Sequence, residues 1–314
     1  MNLIEILRTR VQVLPGGDHT AGLRAVLQHV EVAAAHLNRG QETQDETAFT
    51  DAIYRTNQAF EGSLKEAYRV LAGKDPNKTR PYDIELYFQQ NATLRQRVLD
   101  QFTTYRTEWR NPSTHDYRLD FDEDEALLAI VSVCAFAIVL IDQIAEKLSF
   151  DKARAAAAAH PASADQAASL LSRTSQLLQT FAATGATASE TTTDIREVEL
   201  IGAIAGLLSA AMPKAQVSTE AVIDPSARLR ADIIVNDHRQ RVLVEVKRLR
   251  PSVSQVEHAL QAVTRYMDVS GIKDAIIYFY PGSGDAVMTA EERKLPSIGG
   301  QVVILLPAKR WRTS

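Results

Sequence analysis

Two acidic residues and a lysine lie in apolar segments near the carboxyl-terminal end of the chain. Asp232 is in RADIIVN, and Glu245 and Lys247 are in RVLVEVK, with twelve residues between the two acids. If the polar residues 237–240 form a hairpin loop, the segments pair as strands and Asp232 lies opposite Glu245, with Cβ atoms about 5 Å apart. Because side chains alternate along a strand, Lys247 shares the face of Glu245. The spacing therefore predicts two carboxylates and an ammonium group in one place.

This combination is typical of metal-assisted phosphodiester hydrolysis. Asp232 and Glu245 would hold a hard divalent cation, Mg²⁺ or Mn²⁺, whose other ligands are water and phosphate oxygens. The cation activates the attacking water, and Lys247 would orient that water, help to deprotonate it or offset the charge on the phosphate. On a solvated strand the same triplet would form only a weak surface salt bridge. The apolar neighbours favour the functional interpretation, because unpaired charge is costly in buried strands.

Asp232 and the triplet Glu245-Val246-Lys247 resemble the D...ExK core of the PD-(D/E)XK nuclease superfamily, with Ala231 where the family name has proline. The resemblance covers roughly residues 194–280. It implies a restriction-endonuclease-like fold and hydrolysis of DNA.

The same resemblance implies further site residues on the two helices that flank these strands. Members often carry a glutamate on the helix before the first strand, which would be the catalytic residue Glu197, with Glu199 as the second choice. Many also place a glutamine and a tyrosine on the helix after the triplet. Gln261 and Tyr266 would fill this substrate-binding role.

A second pair of residues, Arg110 and His115, lies in the segment RNPSTH. An imidazole can take the proton of a ribose 2′-OH while a guanidinium binds the phosphate, and the 2′-oxygen then displaces the 5′-leaving group without a metal. Alternatively, both residues only pair with the acidic start of the following helix, DFDEDE. Asn57 and Glu61 lie on a helix that could pack against this segment.

The segment resembles the R-x4–6-H motif of the HEPN superfamily, in which a polar residue often follows the arginine, as Asn111 does here. The resemblance covers about residues 20–150 and implies a helical bundle that forms a homodimer with facing motifs. Arg110 and His115 would then be catalytic and Asn111 would bind RNA. Many HEPN-like domains are instead catalytically inert scaffolds.

The elements that must position these residues follow from apolar periodicity. From about residue 21 to residue 150, apolar residues recur at spacings of three and four, which predicts helices. Breaks are expected at residues 40–46, 73–81 and 111–112, which leaves four principal helices. Asp122, followed three residues later by Glu125, predicts the start of the last helix, which continues to about Leu148.

The pattern changes after residue 150. Residues 151–193 are rich in Ala, then in Thr and Ser, and predict a connecting helix and a flexible hinge. A helix over about 195–212 and a helix over about 254–269 accompany strands at 217–223, 231–236, 241–248, 275–280 and 302–306. The sequence therefore predicts two domains, an all-α HEPN-like bundle over residues 1–150 and an α/β restriction-endonuclease-like domain over residues 194–314.

Composition limits the class of protein. The 314 residues carry 35 Lys and Arg against 39 Asp and Glu, which excludes nucleic-acid binding through bulk positive charge. Residues 225–314 hold 14 basic and 9 acidic residues, so a nucleic-acid-binding surface is expected there. The single cysteine, Cys134, excludes an internal disulfide framework and fits the cytoplasm. No signal-peptide pattern opens the chain, and its longest apolar run, residues 126–141, predicts a core helix rather than a membrane span.

The sequence thus predicts a cytoplasmic, homodimeric, Mg²⁺- or Mn²⁺-dependent endonuclease that acts on DNA. A HEPN-like domain fused to such a nuclease resembles prokaryotic defence against phage or foreign DNA. Two alternatives stay open. In one, the HEPN site cuts RNA without metal, as in a toxin-like RNase, and the carboxyl-terminal domain locates the substrate. In the other, both domains are non-catalytic and bind nucleic acid or a partner as an adaptor or sensor.

Overall fold

The computed structural model describes residues 2–115, 120–159, 168–184, 195–224, 226, 229–248, 252–282 and 287–308, without the side chains of residues 114, 115 and 184. A helical region over residues 3–211 precedes a mixed six-stranded sheet with a helix, so the carboxyl-terminal part is an α/β structure. The helices are α1 (Leu3–Gln12), α2 (Thr20–Thr43), α3 (Thr47–Leu71), α4 (Pro81–Gln90), α5 (Gln96–Tyr105), α6 (Asn111–His115), α7 (Glu123–Ala159), α8 (Leu170–Thr184), α9 (Glu197–Ala211) and α10 (Val253–Ser270). The strands are β1 (Gln216–Asp224), β2 (Leu229–Asn236), β3 (Arg241–Lys247), β4 (Asp274–Phe279), β5 (Met288–Leu295) and β6 (Gly300–Pro307). Contacts within the chain divide it into two compact units, Met1–Lys147 and Leu148–Ser314.

An aromatic cluster joins three helices in the core of the first unit. Phe60 of α3 lies 4.6 Å from Tyr105 and 5.7 Å from Phe102, both of α5, measured between ring centroids. It also lies 5.1 Å from Phe136 of α7. All four rings are fully buried. Packing of this kind, rather than helix propensity, supplies most of the stability of amphipathic helices.

The predicted break at Asn111-Pro112 is wrong, because the chain stays helical through it. A π-helical turn, Arg106–Arg110, connects α5 to α6. The backbone angles of Asn111 are helical, and its N–H donates to the Arg106 carbonyl, five residues back. This wider turn accommodates Pro112, since proline in a regular α-helix collides with the carbonyl four residues before it. Arg110 therefore lies inside a continuous helical segment and does not end a helix.

The other helix boundaries agree in part with those predicted from the sequence. The start of α7 is confirmed, because the Asp122 carboxylate accepts from the Glu125 N–H at 2.8 Å and the Glu125 carboxylate accepts from the Asp122 N–H at 2.9 Å. However, α7 ends at Ala159 rather than near Leu148. The predicted third helix is divided into α4 and α5, and α1 was not predicted.

The long helix α7 contains an extended apolar stretch within its 37 residues. It is long and apolar enough to cross a membrane, and half of its most apolar stretch is buried. The core helix of a soluble protein has the same composition, so α7 is weak support for either location. Cys134 of α7 is fully buried, and burial raises the pKa of its thiol to about 12.

The sheet of the second unit has the strand order β1-β2-β3-β4-β6-β5. β1, β2 and β3 are antiparallel neighbours, β3, β4 and β6 are parallel, and β5 pairs antiparallel with β6. α10 connects the parallel strands β3 and β4, as their direction requires. The predicted order of a helix, three strands, a helix and two strands is found, with one additional strand, β5, between the last two. β5 was missed, because most of its residues are polar and exposed.

Helices cover both faces of this sheet. Leu177 and Phe181 of α8 and Ile204 of α9 belong to the core on one face. Val263 and Met267 of α10 belong to the core on the other face. The sequence assigned α8 to the connecting segment, whereas its apolar side chains are part of the core of the second unit. The hinge predicted near the end of that segment falls on residues 185–194, outside the described residues.

Gly206 of α9 lies against the backbone of α7, and this contact leaves no room for a side chain. A Cβ atom at residue 206 would lie 2.3 Å from the Phe150 carbonyl oxygen and 3.1 Å from the Arg154 nitrogen. We expect Gly206→Ala to lower the free energy of unfolding by about 1–3 kcal/mol, because a helix backbone cannot move aside as a side chain can. Urea unfolding would measure this change. Gly16→Ala is the control, since nothing lies within 4 Å of its Cβ position, and equal stability of the two variants would contradict the contact.

Candidate functional site

The β2–β3 hairpin brings Asp232 and Glu245 together. The register predicted from a loop at residues 237–240 is confirmed as far as the pair Ile233 and Val244. Asp232 and Glu245 are the next residues on the two strands. The two acids therefore lie side by side at the end of the paired region, as their spacing predicted.

The Asp232 carboxylate is bonded directly to the backbone of β3. Its Oδ2 atom accepts a hydrogen bond from the Val246 N–H at 2.7 Å. A side chain thus takes the position that a main-chain carbonyl would hold in a regular ladder. The bond fixes the carboxylate of Asp232 beside the residue that follows Glu245.

Glu245 is buried, with 6% of its surface exposed, and its two oxygens differ in their partners. Oε1 accepts a hydrogen bond from the Lys247 ammonium group at 2.6 Å. Oε2 is buried and has no hydrogen-bond partner among the described residues. A buried charged oxygen without a partner costs free energy. Such an atom indicates a position where a ligand can bind.

Burial controls the acidity of this group of side chains. It raises the pKa of Asp232 to about 7, and the nearby charge of Glu245 adds to the effect. Burial also raises the pKa of Glu245, although the charge and hydrogen bond of Lys247 act in the opposite direction. Burial lowers the pKa of Lys247, but the charges of Glu245, Asp232 and Glu197 outweigh it, so the pKa of Lys247 is raised. The two carboxylates repel each other in a setting where solvent screens them little.

The two carboxylates fit a hard divalent cation. No cluster of three or more His, Cys, Asp or Glu side chains that could hold a metal occurs in the part of the chain that the structure describes. Mg²⁺ does not require such a cluster, because it is commonly held by one or two carboxylates together with waters and substrate phosphates. The unpartnered Oε2 of Glu245 supplies one acceptor, and Asp232 is its neighbour. A cation here would also relieve the repulsion between the carboxylates.

Of the two candidate glutamates on α9, the structure brings Glu197 toward the site. Glu197 is the first residue of α9, and its charge raises the pKa of both Asp232 and Glu245. Glu199 has a different role, because its side chain accepts from the Arg196 N–H and so closes a capping box at the start of α9. The choice of Glu197 over Glu199 is consistent with this geometry.

The two candidate residues on α10 differ in position. Tyr266 is partly buried, and its pKa is raised by burial and then by the charges of Glu245 and Asp232. The charges of the acidic pair therefore act on its hydroxyl. Gln261 is exposed, and five residues of helix place it about 140° around the axis from Tyr266.

Arg110 belongs to a separate polar cluster in the first unit. Its Nη2 atom lies 3.5 Å from Oε1 of Glu85 and 3.9 Å from Oε1 of Glu61, and its Nη1 atom donates to the Asn111 side chain at 3.2 Å. Burial raises the pKa of Glu85, while the charges of Arg110 and Arg106 lower it. The Arg110 guanidinium therefore faces two carboxylates, with which a phosphate would have to compete.

The predicted packing of α3 against the Arg110 segment is confirmed. The Asn57 side chain donates to the Ser113 hydroxyl at 2.7 Å and accepts from the Tyr105 hydroxyl at 3.0 Å. Glu61, one turn further along α3, is the residue that faces Arg110. His115 is the last residue of α6, and its side chain lies outside the described part of the structure.

Sequence reasoning missed Glu85, the nearer of the two acids that pair with Arg110. Glu85 is only 4% exposed and lies on α4 beside the buried Ile84 and three residues before the buried Phe88. The sequence did hold a signal for Glu85, since this charged residue lies among the apolar residues of a helix. A charge at such a position needs a buried partner of opposite charge.

Comparisons of the chain with protein-family models, with curated proteins and with solved structures gave no match. The resemblances to the PD-(D/E)XK and HEPN superfamilies therefore stay predictions from short motifs. Function is inferred below from the geometry of Asp232, Glu245 and Lys247.

We expect Asp232→Asn to stabilise the metal-free protein at pH 8. The folded-state pKa of about 7 exceeds the ordinary value of 3.8, so the folded chain binds the extra proton between these values and loses stability as the pH rises through that window. Asparagine avoids this loss and still accepts from the Val246 N–H. Urea unfolding in EDTA should show a gain on the order of 1–3 kcal/mol at pH 8 that disappears near pH 4. The control is Asp268→Asn on the exposed face of α10, and an Asp232→Asn gain equal at both pH values would contradict the prediction.

Proposed function

We propose that the protein is a metal-dependent nuclease that hydrolyses phosphodiester bonds at Asp232, Glu245 and Lys247. The observation that carries the proposal is the buried carboxylate of Glu245, which has one oxygen on the Lys247 ammonium and the other without a partner. Charged groups are kept buried at positions where they bind or react, because burial costs free energy.

Each side chain has a distinct part in this proposal. Asp232 and Glu245 would hold Mg²⁺ or Mn²⁺, and the Val246 N–H keeps Asp232 in place. When bound, such a cation supplies positive charge that lowers the pKa of a water molecule and offsets the charge of the phosphate. Lys247, held by Glu245, adds a fixed positive charge at the same point of the sheet. Tyr266 of α10, on which the charges of Glu245 and Asp232 act, would contact the substrate.

The surrounding fold supports the same proposal. The order α9, β1–β3, α10 and β4 places the acids and the lysine on adjacent strands, with Glu197 and Tyr266 supplied by the flanking helices. The resemblance to the PD-(D/E)XK superfamily rests on the same residues. A restriction-endonuclease-like fold and DNA as the substrate belong to this proposal.

The test is cleavage by the purified full-length protein. Supercoiled plasmid DNA and a structured RNA are each incubated with Mg²⁺, with Mn²⁺ or with EDTA. DNA cutting that requires the cation is the expected result. If neither substrate is cut with either cation, the nuclease proposal is overturned in favour of the non-catalytic adaptor.

The competing interpretation is a metal-independent RNase. Incubation with EDTA distinguishes it from the metal-dependent nuclease. An Arg/His mechanism survives chelation, whereas the proposed site does not. The structure favours the carboxyl-terminal site, because the Arg110 guanidinium already faces Glu85 and Glu61. RNA cutting in EDTA that is lost in His115→Ala would move the activity to the helical unit.

We also propose that the protein is cytoplasmic, forms a homodimer through its helical region and acts in defence against foreign nucleic acid. These proposals rest on the single buried cysteine and on the resemblance of residues 20–150 to the HEPN superfamily. Sedimentation of the full-length protein tests the dimer.

A further inference from the structure

A cavity of about 530 Å³ lies at the other end of β3 from Lys247. The β2–β3 loop and the turn between α10 and β4 line it, and we call it the basic cavity after three of its residues, Arg239, Arg241 and Lys273. Arg241 precedes Glu245 by four residues, which is about 13 Å at the rise of a strand. The basic cavity is therefore separate from the acidic site.

None of the three cations of the basic cavity is neutralised within the described part of the chain, and hydrogen bonds position two of them. Arg241 donates from Nη2 to the Ser270 carbonyl at 3.1 Å, and Lys273 donates from Nζ to the Ile298 carbonyl at 2.6 Å. Carbonyl oxygens orient these groups but carry no full charge. In the described part of the chain, no carboxylate forms an ion pair with Arg239, Arg241 or Lys273.

Two acids lie in or beside the cavity, and one of them is already paired with a cation outside it. Asp237 pairs with Arg173 of α8 at 3.1 Å. Asp274, which lines the cavity, accepts a hydrogen bond from the Gln301 side chain at 3.0 Å. Three cations against the carboxylate of Asp274 leave the wall of the cavity positively charged at neutral pH.

The loop that carries Arg239 is held by its own hydrogen bonds. The Asp237 carboxylate accepts from the N–H groups of Gln240 at 2.9 Å and Arg239 at 3.2 Å. The Asn236 side chain accepts from the His238 N–H at 3.0 Å. A fixed loop loses less conformational entropy when a ligand binds than a mobile one would.

We propose that the basic cavity binds a phosphate ester. Guanidinium groups match phosphate oxygens in pairs, and a lysine adds a point charge. The volume is that of an ordinary small-ligand site, with room for a nucleotide. The phosphate belongs either to a free nucleotide or to a nucleic-acid strand. This site does not depend on the proposed nuclease function, since none of its residues belongs to the acidic site.

Binding in EDTA tests the proposal, because without metal the acidic site repels phosphate. Adenosine 5′-monophosphate is titrated by calorimetry, and a labelled 12-nucleotide single-stranded DNA by fluorescence anisotropy. Arg239→Ala and Lys273→Ala should each weaken binding about tenfold, a loss of about 1.4 kcal/mol. Lys214→Ala, which removes an exposed lysine after α9, is the matched control and should bind as the wild type does.

The two probes distinguish the source of the phosphate. Binding of the nucleotide that weakens about tenfold in both variants identifies a small-molecule site. Binding of the oligonucleotide alone, with the same losses, identifies a strand-binding site. If neither probe binds, or if Arg239→Ala and Lys273→Ala bind like the control, the proposal is overturned. A failure to cut DNA while this binding persists would overturn the nuclease proposal alone.

Discussion

Glu245→Gln and Lys247→Met are each expected to lower the rate of Mg²⁺-dependent DNA cleavage by at least about 100-fold, the usual loss when one preorganised charge is removed from a reacting phosphate or carbonyl. Glutamine keeps the shape of Glu245 but removes its charge. Methionine keeps the apolar stem of Lys247 and removes the ammonium group that Glu245 holds at 2.6 Å. Initial rates of plasmid nicking would measure both losses.

The matched controls lie on β5, three strands away from β3 in the sheet. Glu292→Gln and Lys294→Ala make the same changes of charge at exposed positions and should cut at the wild-type rate. Circular dichroism and thermal unfolding would show that every variant is folded. Wild-type rates in folded Glu245→Gln and Lys247→Met proteins would falsify the assignment of the site.

Mn²⁺ is expected to raise the stability of the wild-type protein but not that of Glu245→Gln or Asp232→Asn. A cation that binds only the folded chain stabilises it by RT ln(1 + [L]/Kd), which is about 2.7 kcal/mol at a concentration 100 times Kd. The variants lose this gain because each removes one of the two carboxylates that would hold the ion. Thermal unfolding with increasing Mn²⁺ would measure the effect without any dependence on activity.

The comparison between variants makes this prediction specific. In EDTA at pH 8, the Asp232→Asn variant is expected to be more stable than the wild type. Mn²⁺ should raise the stability of the wild type toward that of the variant and leave the stability of the variant unchanged. Glu292→Gln, which changes an exposed acid of β5, should respond to Mn²⁺ as the wild type does. An equal rise in Glu245→Gln would mean that the cation binds elsewhere on the chain.

The hairpin could be predicted from sequence because strand alternation and a four-residue loop leave little freedom. Once residues 237–240 are a loop, the pairing of β2 and β3 follows, and with it the proximity of Asp232 and Glu245. What could not be predicted is the bond from the Val246 N–H to Asp232. That bond depends on how the strands depart from regular pairing, and residue spacing holds no information on such a departure.

The helical unit shows where local rules fail. Pro112 predicts a helix break by a rule on the preceding residue, yet the π-helical turn keeps Asn111 helical. Arg110, at the end of that turn, lies 3.5 Å from Glu85, on a helix that is separate from it in the sequence. Contacts between distant segments decide such details, so a single sequence does not reveal them.

The polarity of β5 has a further consequence for the behaviour of the protein in solution. β5 and β1 are the two edges of the sheet, and an open edge can pair with a strand of another molecule. β5 presents the exposed charges of Glu292, Arg293 and Lys294 along its length. Charged side chains on an edge strand oppose aggregation. The same residues that hid this strand from sequence-based prediction therefore keep the sheet from growing into a larger, insoluble one.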